Sequence, residues 1–223
     1  MASTPPPPPP PNTPPPPVGP QSSSPMPASS GYPATLTFDA PERVANWRPL
    51  VHWLMAIPHF IVLYFLNIAS SVVAIVSWFI IVFSGQMSPG LANFQAMYIR
   101  YAARVYNFAA FLREEYPPFS FDATTSDPGD DPRLRVDLQP QLTDRNRVTT
   151  FFRFILVIPV AIVLAIFMIG AYITVLIAFF AVLFTGHWPA GLRDFVIKVQ
   201  RFAVRLMSYS LLLTDKYPPF ALD

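Results

Sequence analysis

Residues 50–84 of the chain read LVHWLMAIPHFIVLYFLNIASSVVAIVSWFIIVFS. The wider segment from Pro49 to Ile99 contains no Asp, Glu, Lys or Arg. A second segment without these charged residues extends from Phe154 to Leu192. Apolar stretches of more than about 18 residues are typical of transmembrane helices. The sequence therefore predicts an integral membrane protein with two apolar segments.

Segment length and flanking charge indicate how many spans each segment makes. As one helix, residues 50–84 would be roughly 52 Å long, whereas a bilayer hydrocarbon core is about 30 Å thick. Arginine and lysine are enriched on the cytoplasmic side of membranes, and they flank both ends of both segments. We therefore expect one hairpin of two short spans per segment, multi-pass, with both termini cytoplasmic. The alternative is a wedge or re-entrant hairpin that does not reach the far leaflet.

The composition separates the amino-terminal region from the rest of the chain. Only 13% of the 223 residues are charged, 52% are hydrophobic, and 14 of the 28 prolines lie in residues 1–31. Because these 31 residues have almost no apolar surface to bury, the sequence predicts a disordered tail with polyproline II character. It lacks the pattern of a secretory signal, so it is expected to stay on the mature protein. It serves either as a stiff spacer or as a P-x-x-P ligand for a protein partner.

The rest of the chain is an internal repeat with an offset of 101 residues. About 20 of the 65 positions from Pro58 to Asp122 are identical to their counterparts in the second copy. Tyr116–Phe119 and Tyr217–Phe220, for example, both read YPPF. The predicted organisation is a first membrane repeat over 32–122, a linker over 123–132 and a second membrane repeat over 133–223. We expect both copies to have the same topology, related by an axis along the membrane normal.

Each repeat is predicted to contain the same series of elements. A short strand comes first, Thr35–Asp39 or Leu134–Leu138, and the two strands are expected to pair. The apolar hairpin follows, and Gly85 and Gly186 suit helix C-termini. Next comes an amphipathic helix at the cytoplasmic interface, which ends at the YPPF motif. The predicted fold class is an all-α integral membrane protein of two tandem repeats, each an apolar helical hairpin plus an amphipathic interfacial helix.

The candidate binding residues are four arginines on the two amphipathic helices. Arginine binds phosphate through a planar bidentate fork, and basic interfacial clusters select anionic lipids. The alternative is that these arginines only anchor a surface helix and set its topology. The predicted lipid head-group contacts are Arg100, Arg104, Arg201 and Arg205.

No catalytic, cofactor-binding or metal-binding residues are predicted. With no cysteine in the chain, a disulfide framework, a thiolate metal site and a cysteine nucleophile are excluded. The histidines do not recur at equivalent repeat positions, and the acidic residues between the repeats are interpreted as part of the linker. The histidines are His52, His59 and His187, and the acidic residues are Asp127, Asp130 and Asp131.

The motifs of the repeat resemble a family of bacterial, largely actinobacterial, integral membrane proteins that share a domain of unknown function. The resemblance rests on Trp53–His59, Phe83–Gly85 and Gly90–Phe94, on the amphipathic helix that carries the arginines, and on the YPPF motif. The second copy departs from this pattern, because Val160 stands at the position of His59. The resemblance implies a membrane location and supplies no reaction.

The functional prediction is a non-enzymatic polytopic protein of the bacterial plasma (inner) membrane, acting as an accessory, scaffold or membrane-organising subunit. Its expected partners are the lipid bilayer, including anionic lipids, a protein that binds the Pro-rich tail, and further copies of the chain. No nucleic-acid partner and no cofactor are expected. One alternative is an oligomeric channel or transporter component. The other is a lipid-binding or lipid-handling module that uses the paired arginines.

Overall fold

The computed structural model describes residues 31–222, which form a mostly helical fold. The predicted disordered tail over 1–31 lies, except for its last residue, outside the described residues. The elements in chain order are β1 (Ala34–Phe38), α1 (Arg48–Ser84), α2 (Pro89–Ala109), β2 (Leu134–Leu138), α3 (Arg147–Phe151), α4 (Arg153–Thr185) and α5 (Ala190–Ser210).

Residues 50–84 lie in one uninterrupted helix, and so do residues 154–185, so the predicted hairpins of two short spans are wrong. Helix α1 has 37 residues and α4 has 33. Asn67 and Ser71 lie near the middle of α1, within this continuous helix, and their side chains form hydrogen bonds. Asn67 donates a hydrogen bond to the Tyr98 hydroxyl at 2.8 Å, and the Ser71 hydroxyl donates to the Asn67 carbonyl at 2.8 Å. By length and composition, the described residues contain two helices that could cross a membrane, rather than four.

The expected caps of the long helices are present. Gly85 and Gly186 have φ angles of 73° and 69° and donate their N–H groups to Ile81 and Val182. A left-handed residue in this position is favourable for glycine, which has no Cβ. The prediction that these glycines end the long helices is confirmed.

The ends of the amphipathic helices differ from the prediction. Helices α2 and α5 end at Ala109 and Ser210, several residues before the YPPF motifs. Phe111 and Leu212, which are equivalent in the repeat, follow with positive φ angles of 44° and 66°. The left-handed backbone at these buried residues turns the chain away from the helix axis in both copies.

The two short strands form an antiparallel pair, as the sequence predicts. Leu36 in β1 lies opposite Val136 in β2. The alternating apolar side chains of both strands are buried, and the sheet packs against α5 and α2. A two-stranded sheet alone would be marginally stable, so this packing is what supports it.

The elements form three layers. Helix α1 packs on α2, α4 packs on α5, and α2 contacts α5. The long helices α1 and α4 form one outer layer, and α2 and α5 form the middle layer. The sheet, together with the connector of residues 120–133, covers the other side of α2 and α5. Helices α2 and α5 are therefore covered on two sides by other elements of the protein. Their location at a membrane interface stays a prediction.

The two long helices run antiparallel, with reciprocal contacts between their ends. The Trp78 indole donates to the Thr150 carbonyl at 2.9 Å, and the Asn46 amide donates to the Leu183 carbonyl at 3.2 Å. A rotation about the membrane normal preserves the vertical component of a helix direction. Two antiparallel helices can therefore be related by such an axis only if both lie parallel to the membrane plane. The prediction that both copies span with the same topology is inconsistent with this arrangement.

Candidate functional site

Helix α2 directs two of the predicted arginines at the connector. Arg100 and Arg104 lie one turn apart and are 2% and 1% exposed. Arg100 Nε is 3.3 Å from Asp127 Oδ2, and Arg104 Nη2 is 3.7 Å from Asp127 Oδ1. Arg100 also donates to the carbonyls of Thr124 and Ser126 at 3.2 and 3.1 Å. Both guanidinium groups thus share one carboxylate partner within the protein.

Asp127 is itself fixed by the backbone of the connector. Its carboxylate accepts hydrogen bonds from the N–H groups of Gly129 and Val136 at 2.9 and 2.8 Å. Burial lowers the pKa of Arg100, and the negative charge of Asp127 counteracts this effect in part. The carboxylate therefore links α2, the connector and strand β2.

A second buried ion pair attaches the connector to the end of α2. Arg113 pairs with Asp131, and both side chains are almost fully buried. Asp131 also accepts hydrogen bonds from the N–H groups of Arg133 and Leu134, each at 3.0 Å, at the start of β2. Asp127 and Asp131 lie in the predicted linker and are also the counter-charges of the helix arginines.

The arginines of the second copy contact different groups. Arg201 Nε donates to the Leu36 carbonyl at 3.2 Å, and Arg205 Nη1 donates to the Ala221 carbonyl at 3.4 Å. Arg205 is 5% exposed, whereas Arg201 is partly exposed. Arg100, Arg104 and Arg205 are thus buried within the protein. Contact between the four arginines and lipid head groups stays a prediction.

Equivalent acidic residues connect the end of each amphipathic helix to the start of its own repeat. Glu114 accepts a hydrogen bond from the Ala45 N–H at 2.6 Å, and Asp215 accepts one from the Asn146 N–H at 2.8 Å. Asp215 Oδ1 also lies 2.8 Å from Arg145 and 2.5 Å from Arg153. Burial raises the pKa of Asp215, but these hydrogen bonds and the two positive charges together lower it below its ordinary value.

The histidines have structural partners. His52 Nδ1 donates to the Phe108 carbonyl at 3.0 Å, and the ring stacks on Phe108. His59 Nδ1 is 2.7 Å from the Tyr101 hydroxyl. His187 is exposed. Within residues 31–222, no group of three His, Cys, Asp or Glu side chains is placed to hold a metal ion.

One face of each long helix is apolar and exposed along its whole length. On α1 the exposed fractions are 60% at Trp53 and 75% at Phe83; on α4 they are 65% at Phe154 and 76% at Phe184. Soluble monomers rarely expose contiguous apolar patches of more than a few hundred Å². Together these two helix faces form the apolar face, which also includes Leu54, Ile57, Ile61, Ile68, Val72, Phe79, Ile158, Ile162, Ile169, Ile173 and Phe180.

The ion pairs of Arg100 and Arg104 with Asp127 form an ionic layer, which lies beside the middle of the long helices. Helices α1 and α2 are antiparallel, with Asn67 bonded to Tyr98 and His59 bonded to Tyr101. Arg100 is thus level with the central part of α1. In the second copy, the Phe202 ring, next to Arg201, lies 5.7 Å from the Phe167 ring near the centre of α4. The sheet and the connector therefore lie beside the central part of the long helices, on the side away from the apolar face.

These features define a duplicated helical protein in which a long, half-exposed apolar helix packs on a buried amphipathic helix in each copy. Residues 46–120 and 147–221 both match the family described as Domain of unknown function (DUF4389). The two matches cover most of the chain, which therefore belongs to the DUF4389 family. They confirm the internal repeat and the resemblance to a family of unknown function. No curated protein and no solved structure matches the chain.

Proposed function

We propose that this protein is a non-enzymatic accessory, scaffold or membrane-organising protein on the cytoplasmic side of a bacterial plasma membrane. In this proposal α1 and α4 lie along the membrane surface, with the apolar face sunk into one leaflet. The observation that carries the proposal is the pairing of a continuous apolar face with an ionic layer beside the middle of the same helices. It develops the non-spanning alternative left open by the sequence.

The cost of the spanning alternative supports this orientation. At 37 residues, α1 is about 55 Å long, well beyond a hydrocarbon core of about 30 Å. A perpendicular α1 would place the connector and strand β2 at the depth of the lipid tails, and β2 carries the exposed charged residues Arg135 and Asp137. Each charge at that depth costs about 2.5–3.5 kcal/mol on insertion scales. A helix parallel to the surface avoids this cost and keeps the basic residues at both of its ends at one depth.

The use of the buried charges supports a non-enzymatic role. Arg100, Arg104 and Arg113 are engaged by Asp127 and Asp131 and hold the connector on the helices. In the proposal these buried charges serve folding. In the proposal, anionic head groups meet exposed basic residues at the ends of the long helices, such as Arg43 and Arg147. The polar side and the Pro-rich tail are left to protein partners or to further copies of the chain.

The orientation is tested by measuring the depth of nitroxide labels in vesicles. The chain has no cysteine, so single cysteines at Leu54, Ile68 and Phe83 report on the two ends and the middle of α1. All three are exposed on the apolar face. We expect equal depths, about 5–10 Å below the head groups. A label at Asp39 on the polar side is the control, and in vesicles we expect it to be accessible to water-soluble relaxants. In intact cells, we expect a cysteine at this position not to be labelled from outside.

The refuting result is a profile in which Ile68 is deep and the two ends are shallow. Such a profile indicates a spanning helix and supports the channel or transporter alternative, which would then be tested by solute flux in vesicles. Turnover of a lipid or nucleotide substrate by the purified protein, abolished by an arginine substitution, would instead refute the non-enzymatic role.

A further inference from the structure

A cleft between the two copies opens on the side of the apolar face. Its volume is about 460 Å³, which falls in the range of about 300–1,000 Å³ typical of small-molecule sites. Helix α4 forms one wall, α2 and α5 form the others, and Phe60 of α1 lies at the edge. The space exists because small side chains of α2 and α5, including Ala103 and Ala203, face it.

The exposure of the lining residues shows where the cleft opens. Phe60, Tyr106 and Tyr172 are exposed large side chains, whereas Ile99 and Val199 are fully or almost fully buried. Phe60 and Tyr172 lie on α1 and α4, the helices that carry the apolar face. The exposed rim is therefore continuous with the surface that the proposed function places in the bilayer.

The lining is predominantly hydrocarbon, with few polar groups. Among the latter, Gln200 has a side-chain Oε1 atom that is buried without a hydrogen-bond partner. An acyl chain has no donor for this acceptor, so the choice of ligand rests on the hydrocarbon lining and not on Gln200. The lining favours a ligand that is predominantly apolar.

We propose that the cleft binds an acyl chain of a bilayer phospholipid. The inference rests on the proposed function, because the bilayer supplies acyl chains directly at the rim. Since lipid tails are as apolar as the lining, binding is favoured by van der Waals packing rather than by transfer from water. A membrane-organising protein with such a cleft would hold one lipid in a fixed position between its two repeats.

The experiment uses the full chain reconstituted in phosphatidylglycerol and phosphatidylethanolamine vesicles and then released into mild detergent for native mass spectrometry. We expect wild type to retain one phospholipid under activation that removes all others. Ala203→Phe fills the cleft and should lose that adduct. Ala165→Phe adds the same side chain at an exposed position of α4 outside the cleft and should keep it. Ala103→Leu is a second filling variant in case Ala203→Phe does not fold.

Vesicle flotation separates failure of this inference from failure of the proposed function. If wild type floats with vesicles but retains no lipid, the proposal that the cleft binds an acyl chain is refuted. If wild type does not float, the proposed membrane location is refuted. A second readout needs no variant. A phospholipid with a diazirine in its acyl chain should crosslink to cleft residues such as Met168, and crosslinks confined to exposed residues such as Ile169 would overturn the inference.

Discussion

Replacing Asp127 with asparagine should destabilise the protein more than any surface charge change. The Asp127 side chain is 1% exposed and lies within 3.3 Å of Arg100 Nε and 3.7 Å of Arg104 Nη2. Asparagine has nearly the same shape, so the change removes the charge without creating a cavity. It leaves two buried guanidinium groups without their shared counter-charge.

The expected loss is about 3 kcal/mol, at the lower end of the 3–5 kcal/mol typical for breaking a buried ion pair. The lower end applies because Arg100 keeps hydrogen bonds to the Thr124 and Ser126 carbonyls. Arg104 also keeps Asp130, whose carboxylate oxygen lies 3.9 Å from its Nη2 atom. For a chain of 150–250 residues, each kcal/mol lowers the Tm by roughly 2–4 °C. The Tm should therefore fall by about 6–12 °C.

Thermal unfolding in detergent micelles, followed by far-ultraviolet circular dichroism, measures this change. Asp39→Asn is the matched control, because Asp39 pairs with Arg133 at 3.5 Å while its side chain is 85% exposed. An exposed pair contributes at most about 1 kcal/mol. A combined Arg100→Met and Asp127→Asn variant should lose less than the sum of the single changes. Equal Tm shifts for Asp127→Asn and Asp39→Asn would show that the connector carboxylate does not neutralise the helix arginines.

Three further changes test other parts of the structure. Since the folded-state pKa of Asp215 is lowered, its stabilising effect is present above its unfolded pKa of about 3.9 and is lost as the pH falls through the folded value. Unfolding titrations should show that Asp215→Asn costs about 3 kcal/mol at neutral pH and removes this acid-dependent loss; a variant with unchanged acid sensitivity would contradict the assignment. Gly186→Ala should cost about 2 kcal/mol, because φ is 69° and the new Cβ would lie 2.6 Å from Asn46 Oδ1. Gly90→Ala, where a Cβ meets nothing within 4 Å, should be neutral or stabilising by up to about 1 kcal/mol, and a loss equal to that of Gly186→Ala would argue against backbone strain.

The repeat, the strand pair and the glycine caps could be predicted from sequence because each depends on local pattern. Gly85 and Gly186 recur at the same position of the repeat, and Leu36 and Val136 lie in strands of matching alternation. Local geometry at such positions depends on backbone sterics, which the residue type reveals directly. Residues that are distant in the sequence have little influence on the backbone geometry at these positions.

The hairpin prediction failed because hydropathy reports composition and not which face of a helix is covered. A separate pattern in α1 indicates the covered face. The buried positions Pro49, His52, Ala56, His59 and Leu63 alternate by three and four residues. This spacing is typical of a helix-packing seam that runs along one continuous helix.

The partners of the arginines could not be predicted because they are distant in sequence. Arg100 and Asp127 are separated by the end of α2 and about half of the connector. A weaker indication was available. Arg100 and Arg104 have no acidic residue within one helical turn, so buried arginines at these positions require a carboxylate from another segment.

The duplication explains why the apolar face and the ionic layer occur together. One repeat alone has a long helix covered on one side by its own amphipathic helix, and α2 then needs a cover for its polar side. Asp127 and the strand pair cover the polar side of α2. The strand pair forms only when both copies are present, because β1 and β2 come from different copies. The antiparallel pairing of the copies places the apolar stripes of both long helices on one surface, with the sheet and the connector on the opposite side. A protein with these two sides is suited to the boundary between lipid and water, and the depth profile along α1 tests that placement.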